Sequence, residues 1–458
     1  MRNALRAAVV AAIVVVGLAA PRPAAAYSVL AHEANIDALW DSTIAPMLAA
    51  RFHDASPDEI QAARAYAYGG CVIQDLGYYP FGNKFFSNLL HYVRTGDFIA
   101  ALIADAENVN EYAFALGALG HYSADTQGHP LAVNRAVALM YPKLKQQFGS
   151  AITYAQSPKN HVMVEFSFDV VQVAAAAYAP EAYHTFIGFQ VSKPLLERAF
   201  SETYGIEMKD VFFSEDLAIG TYRHAVATTI PEMTKVAWGK KRAEILKVVP
   251  GAKKERVVFN LRRGEYEKSF GADYEKPHGV ARFLSWIYTV IPKIGPFRIL
   301  TFSVPTPEAE RLFLDSFTST RQHFKQSLDA LKAERLTLAN TDFDTGKETT
   351  RGEYSMADET YDELLGKLAD HQFAGVSALL RSNLVDYYGD VDALPTGTDV
   401  QRKHAEKIRK SLALLAAVAV PLSAQETIEE GAKATTDVVK DAALVAEHTK
   451  TASAQRAR

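Results

Sequence analysis

One segment of the sequence carries three side chains with metal-binding chemistry at four-residue intervals. His121, Asp125 and His129 occupy positions i, i+4 and i+8. In an α-helix these positions fall within about 80° of one another, so two imidazoles and a carboxylate would project from one stripe. The preceding residues, 112–119, are mostly small and apolar, as in a helix of a bundle core. Polar side chains on such a face are costly unless they are paired or bind a metal.

Further histidines and carboxylates lie at positions that suit the same chemistry. His161 and Glu165 form a second i, i+4 pair. Asp75 lies in a turn-forming segment, His91 in an apolar stretch, and His32 near the start of the chain. Each alone has an ordinary alternative, as a surface hydrogen-bonding pair, a cap, a satisfied core histidine or a surface residue. Together they exceed the needs of one zinc ion, and their number favours a cluster of two or three.

Composition limits both the metal chemistry and the class of protein. The chain has 458 residues, of which 48% are hydrophobic, so it can bury the core of one large or two ordinary domains. Its single cysteine excludes an internal disulfide framework and a thiolate zinc site. Imidazoles and carboxylates without thiolates suit zinc in a catalytic role, in which open positions remain for water or substrate. A net charge of −4 does not favour a nucleic-acid binder held by bulk charge.

The first 26 residues have the pattern of a secretory signal peptide. Two arginines precede an apolar run at 7–20, and small residues close the segment at Ala26. A membrane anchor is the alternative, but this run is short for a bilayer core about 30 Å thick. Cleavage after Ala26 would remove three arginines, change the formal charge from −4 to −7 and leave Tyr27 as the first residue. We therefore expect a secreted or periplasmic protein.

The remaining sequence predicts an all-α fold. Apolar residues recur at helical intervals from Tyr27 to about residue 239, and strand patterns are scarce. Residues 239–276 contain eleven Lys and Arg against six Asp and Glu, which we interpret as a basic insertion or a long connection. Helices are expected again over 280–291 and 308–338.

The C-terminal part, 341–458, is expected to be a helical extension that ends in a polar tail. Residues 341–355 and 390–399 are polar and rich in turn-forming residues, and they are interpreted as loops. Residues 412–422 are apolar but too few to span a membrane, so a packed or membrane-surface helix is expected there.

Taken together, the ligand-type residues resemble those of the zinc-dependent phospholipase C superfamily. The resemblance lies in the order Tyr27…His32…Asp75…His91…His121–x3–Asp125–x3–His129…His161–x3–Glu165. That superfamily also contains glycosylphosphatidylinositol-specific phospholipase D and, more distantly, the fungal single-strand-specific zinc nucleases. The resemblance implies a multi-helix catalytic domain, here 27–340, with about three clustered zinc ions. It also implies that the first residue of the processed chain binds one of them.

The resemblance further implies which residues share a zinc ion. One set is Asp75, His91, His121 and Asp125; the second is His129, His161 and Glu165; the third is Tyr27, His32 and the bridging Asp125. Three features depart from the compact bacterial phospholipases: a tyrosine at the first position, a short gap to His32, and the x3 spacing before His129. These features look more like the phospholipase D branch, and they bear on the substrate more than on the metal site.

The implied activity is that of a zinc-dependent phosphodiesterase of the phospholipase C type. The resemblance implies that a metal-bound hydroxide attacks the phosphodiester of a phospholipid head group, and that Asp75 binds metal and helps to orient or deprotonate the water. A phospholipid is the expected substrate, and a membrane surface is a compatible partner. Two alternatives stay open: a single-strand nuclease of the same fold, which the net charge does not favour, and a non-catalytic zinc-binding exported protein.

Overall fold

The computed structural model describes residues 28–175, 189–253 and 302–418. Within these ranges the secondary structure is helical apart from one short hairpin, which confirms the all-α fold class. The chain divides into two compact units. The first comprises Met1–Thr203 and Glu207–Tyr361, and the second comprises Tyr204–Ile206 and Asp362–Arg458. The first unit thus extends past residue 340, where the sequence placed the end of the catalytic domain.

The helices of the first unit carry every predicted ligand residue that the structure describes. In chain order the α-helices are α1 (Val29–Leu39), α2 (Ala45–Arg51), α3 (Pro57–Val72), α4 (Lys84–Tyr92), α5 (Thr95–Ala104), α6 (Val109–Gly128), α7 (Asn134–Met140), α8 (Pro142–Phe148), α9 (Pro158–Ala175), α10 (Lys193–Tyr204), α11 (Glu215–His224), α12 (Ile230–Val248) and α13 (Pro307–Lys332). Two shorter helical turns also matter for the site: a 3₁₀ turn at Ile73–Tyr78 and a π turn at His129–Val133. After α13, strands β1 (Thr341–Asp342) and β2 (Lys347–Glu348) pair in antiparallel fashion.

The second unit is helical throughout its described part. Helix α14 (Ser355–Asp370) continues into it and is followed by α15 (Ala378–Tyr388) and α16 (Asp399–Ala417). Its core is formed by buried leucines such as Leu368, Leu380 and Leu384. Among the described residues of both units, no helix combines the length and the apolar character needed to cross a membrane.

Helices α3 and α6 lie backbone against backbone because glycines occupy their interface. A Cβ atom on Gly70 would lie 1.8 Å from the carbonyl oxygen of Phe114, and one on Gly117 would lie 2.0 Å from that of Ala67. No real side chain tolerates such a distance, so the close approach requires glycine at both positions. This contact sets the distance between α6 and the end of α3. Helix α6 carries His121 and Asp125, and His129 follows directly after its last residue.

Gly70→Ala is therefore expected to destabilise the protein strongly. Because the new methyl group would meet backbone rather than a movable side chain, we expect a loss of about 3 kcal/mol or more in the free energy of unfolding. Urea unfolding followed by circular dichroism measures it. Gly239→Ala is the matched control, because Gly239 also lies in a helix but a Cβ there has nothing within 4 Å. That control should be neutral or stabilising by about 0.5–1 kcal/mol, and equal losses in both variants would contradict the packing argument.

Two predicted segments differ from the structure in their boundaries. Helix α12 runs to Val248, so the first residues of the predicted basic insertion, 239–276, are helical. The reason is that Ile245 packs into a buried cluster with Trp238, which continues the apolar face of the helix. Helix α13 ends at Lys332 rather than near residue 338, because Glu334 adopts a left-handed backbone conformation (φ 54°).

Other sequence-based interpretations fall partly or wholly outside the described residues. These are the signal peptide 1–26, the end of the basic insertion at 254–276, the helix expected over 280–291, and the polar tail beyond residue 418. Of the apolar segment 412–422, the first six residues belong to α16, where Leu415 is buried.

Candidate metal centre

Eight of the nine predicted ligand residues lie in the interior of the first unit, and the ninth, Tyr27, lies outside the described residues. They come from helices α1, α4, α6 and α9, from the 3₁₀ turn that follows α3, and from the π turn that follows α6. Each of the eight side chains is at most 4% exposed: His32, Asp75, His91, His121, Asp125, His129, His161 and Glu165. So many buried polar groups at one place require compensation by one another or by a cation.

The eight side chains form three groups in which the potential ligand atoms lie within 4.8 Å of one another. The first group is Asp75, His91 and His121, the second is His129, His161 and Glu165, and the third is His32, His121 and Asp125. The second group has the members of the second ligand set that the family resemblance implies. The other two groups overlap with the implied sets without matching them: the first lacks Asp125, and the third contains His121 beside His32 and Asp125. Tyr27 of the third set is not described, but its neighbour Ser28 lies directly before α1, which carries His32.

Asp125 lies at the junction of the three groups. Its Oδ2 atom is 3.2 Å from Nε2 of His121 and 3.4 Å from Nε2 of His91. The same oxygen lies 4.0 Å from Nε2 of His129, in the second group. Its Oδ1 atom is 3.5 Å from Nε2 of His32. One carboxylate therefore faces imidazoles from all three groups, which is the position that a bridging ligand requires.

Helix geometry explains this position locally. Helix α6 runs through Gly128, so His121 and Asp125 share one face, as the four-residue spacing predicts. His129 begins the π turn His129–Val133, which includes Pro130. Because a π turn contains an extra residue, it changes the direction of the side chains that follow. His129 still faces Asp125, and so the predicted stripe of three ligand-type residues is present.

Backbone carbonyls orient the two histidines of the first group. Nδ1 of His91 lies 2.7 Å from the carbonyl oxygen of Ser87, and Nδ1 of His121 lies 2.9 Å from that of Cys71. A carbonyl accepts a hydrogen bond only from a protonated nitrogen, so Nδ1 carries the proton in both rings. The two Nε2 atoms, 3.4 Å apart, therefore point into the site, where each can bind a metal in its unprotonated form.

His161 is oriented in the opposite sense. Its Nε2 atom lies 2.5 Å from the carbonyl oxygen of Ile152, so Nε2 is the protonated nitrogen. Its Nδ1 atom lies 3.6 Å from Oε1 of Glu165, one helical turn further along α9. The ligand atom of His161 is thus Nδ1, which the i, i+4 spacing alone does not indicate.

The hairpin of β1 and β2 also contacts the site, and sequence reasoning missed it. Residues 341–355 were interpreted as a polar loop, but Asp342, Phe343 and Asp344 are buried. The backbone N–H of Phe343 donates to the carbonyl oxygen of His91 at 3.1 Å, and its ring packs against that imidazole at 5.3 Å. Oδ1 of Asp344 lies 3.2 Å from Nδ1 of His129. The segment is largely turns and irregular chain, as expected, but Asp342 and Asp344 are buried, which the interpretation as a polar surface loop did not anticipate.

The carboxylates of Asp75 and Asp125 fit a metal ion better than they fit the protein alone. None of their four oxygens has a hydrogen bond of good geometry within the described residues. Burial raises the pKa of Asp75, although His91 and His121 oppose it. Burial would also raise the pKa of Asp125, but His121 and His91 hold it well below its ordinary value. Buried carboxyl oxygens that lack protein hydrogen bonds and lie among imidazoles suit a zinc ion.

The histidines differ in the protonation state that the apoprotein favours. Burial lowers the pKa of His129 and of His161, so both imidazoles are neutral near pH 7 and can bind a metal directly. Burial alone would also lower the pKa of His91, but the carboxylates of Asp125 and Asp75 outweigh burial and raise that pKa to about 10. A metal ion would therefore displace a proton from His91 and take over its charge balance with the two carboxylates.

Comparison with known protein families gives a match over part of the chain. Residues 42–214 match the family model described as zinc dependent phospholipase C. Seven of the predicted ligand residues, from Asp75 to Glu165, lie inside the matched segment, whereas His32 precedes it and Asp344 follows it.

The match confirms the resemblance to the zinc-dependent phospholipase C superfamily and supports a zinc hydrolase of the phospholipase C type. No curated protein and no solved structure gives a significant match to the chain.

Proposed function

We propose that the protein is an exported, zinc-dependent phosphoric ester hydrolase that cleaves the head-group phosphodiester of phospholipids. The observation that carries the proposal is the position of Asp125, whose two oxygens face imidazoles from three ligand groups. A buried carboxylate in that position is suited to bridge metal ions. The family match adds the chemical class of the reaction.

In this proposal three zinc ions occupy the three groups. The first is held by Asp75, His91, His121 and Asp125, and the second by His129, His161 and Glu165. The third is held by His32, Asp125 and the main chain of Tyr27 once the signal peptide is removed.

Hydrogen bonds on both sides of His32 anchor the start of α1 to neighbouring helices. The backbone N–H of Leu30 donates to Oδ2 of Asp169 in α9 at 3.3 Å. The side-chain amide of Asn35 donates to the carbonyl oxygen of Gly120 in α6, also at 3.3 Å. Because both ends of this short segment are anchored, His32 is held between them against the core.

Bound zinc would lower the pKa of a coordinated water to about 7 and offset the negative charge of a phosphate group. The protein's own contribution is to hold the ligand atoms and to position a water. Oδ1 of Asp75 is 3.5 Å from Nε2 of His91, inside the first group. Its second oxygen remains available to accept a proton from a water that approaches the phosphorus. We therefore assign to Asp75 a role in orienting or deprotonating that water, in addition to metal binding.

The test is hydrolysis of a defined lipid panel by the exported, processed protein. Vesicles of phosphatidylcholine, phosphatidylethanolamine or phosphatidylglycerol should release a phosphorylated head group, detected by ³¹P NMR of the aqueous phase. Appearance of phosphatidic acid instead would assign cleavage of the D type and would keep the phosphodiesterase proposal while changing the bond cleaved.

The controls separate this activity from its alternatives. His121→Ala should abolish the release, because His121 belongs to two of the groups. His53→Ala should leave it unchanged, because His53 is exposed. Activity confined to single-stranded DNA or RNA would replace the proposal with a nuclease. Bound zinc with neither activity would replace it with a non-catalytic zinc-binding protein.

A further inference from the structure

A carboxylate outside the matched family segment contacts the second ligand group. Asp344 lies in the turn between β1 and β2 and is fully buried. Its Oδ1 atom is 3.2 Å from Nδ1 of His129, whose other nitrogen faces Asp125. Nδ1 of His129 thus faces the carboxylate of Asp344, and Nε2 faces the proposed metal position.

Apart from Oδ1, which has only the 3.2 Å approach to Nδ1 of His129 and no hydrogen bond within the described residues, the polar atoms of Asp344 are held by hydrogen bonds. Its Oδ2 atom accepts from the backbone N–H of Tyr154 at 2.8 Å and from the hydroxyl of Tyr354 at 2.5 Å. Its own N–H donates to Oδ1 of Asp342 at 2.9 Å, and its carbonyl oxygen accepts from Nδ2 of Asn134 at 2.8 Å. A side chain fixed in this way can fix in turn the ring that it contacts.

The same network reaches the other histidine of the group. The carbonyl oxygen of Asn134 accepts from the backbone N–H of Ile152 at 2.9 Å. The carbonyl of Ile152 is the group that orients His161 through Nε2. Asn134 therefore links the backbone of Asp344 to the segment that orients His161, while the carboxylate of Asp344 faces His129 directly.

We propose that Asp344 is the positioning residue of the second metal group. Its carboxylate accepts the Nδ1 proton of His129, which directs the Nε2 lone pair of that ring towards the metal position and increases its basicity. The hairpin β1–β2, which lies beyond the segment that matches the family model, is on this account part of the metal centre. This inference rests on the proposed zinc site, because without a metal at His129 there is nothing for Asp344 to position.

The test is the zinc affinity of Asp344→Asn, measured on the metal-free protein by competition with a chromophoric chelator. Loss of a carboxylate that orients a ligand histidine weakens metal binding about 10–100-fold. We expect this loss for one zinc ion and wild-type affinity for the others. In the His129→Ala background, Asp344→Asn should cause no further loss, because the two residues act on the same ion.

Three controls keep the result specific. Glu348→Gln lies on the same hairpin but is exposed, and it should bind zinc as the wild type does. Thermal unfolding of the metal-free variants shows whether Asp344→Asn remains folded. If it does not, Tyr354→Phe, which removes one donor to Asp344 and leaves the carboxylate in place, should weaken the same zinc ion by a smaller factor.

The possible outcomes distinguish this inference from the function on which it rests. Wild-type zinc affinity in Asp344→Asn, or an equal additional loss in the His129→Ala background, would overturn the role of Asp344 and leave the zinc site intact. A wild-type protein that binds no zinc would overturn the proposed function, and the role of Asp344 with it.

Discussion

Asp125→Asn is expected to abolish hydrolysis and to remove most of the bound zinc. The amide keeps the size of the side chain but loses the charge that faces His32, His91, His121 and His129. A metal ion contributes several kcal/mol of transition-state stabilisation, so its loss corresponds to a decrease in kcat of about a thousandfold or more. Initial rates on phospholipid vesicles, together with zinc content by atomic emission, measure both effects.

The matched control is Asp54→Asn, the same substitution at an exposed loop position. It should keep the wild-type rate and the wild-type zinc content. Because Asp125 faces all three groups, its variant should lose more than one zinc ion. Loss of a single ion with the other two retained would show that Asp125 does not bridge, and retention of full activity would show that the site is not the reaction centre.

Removal of zinc by a chelator is expected to lower the thermal stability of the protein by a large amount. A ligand present at a thousand times its dissociation constant stabilises the folded state by about 4 kcal/mol for each site. Several sites in one unit add to one another. The metal-free protein must also bury both Asp75 and Asp125 with the His91 imidazolium shared between them in place of the metal ions, which adds to the loss. Differential scanning calorimetry before and after dialysis against chelator measures the shift.

The stabilisation should return when zinc is added and should be much smaller in Asp125→Asn. That variant is a direct control, because it differs from the wild type only in the replacement of one carboxylate of the site by an amide. If chelator leaves the melting temperature of the wild type unchanged, the buried histidines and carboxylates are satisfied by the protein itself. The proposal of a metal centre would then be wrong, whatever activity the protein has.

The local geometry of the site was predictable because helix periodicity determines it. His121 and Asp125 lie four residues apart, as do His161 and Glu165, and each pair occupies one helix in the structure. Such spacing places two side chains on one face whatever the tertiary fold is. The approach of these helices to one another came from the family resemblance, since single-sequence patterns do not specify helix packing.

The remaining parts of the site depend on contacts between distant residues. The carboxylate of Asp344 accepts a hydrogen bond from the backbone of Tyr154, which lies 190 residues earlier in the sequence, and no local sequence pattern indicates that contact. The orientation of His161 depends on a backbone carbonyl, which every residue has and which therefore carries no sequence signal. The close packing of α3 on α6 is similar, because Gly70 is visible in the sequence but the atom it must avoid is not.

The central claim is that buried residues of the first unit hold a cluster of zinc ions. Anomalous diffraction at the zinc absorption edge, from crystals of the exported and processed protein, tests it most directly. Three peaks are expected, one within each ligand group, with Asp125 between them. An absence of peaks at these groups, or zinc bound only at surface positions such as His404 beside Asp362, would contradict it.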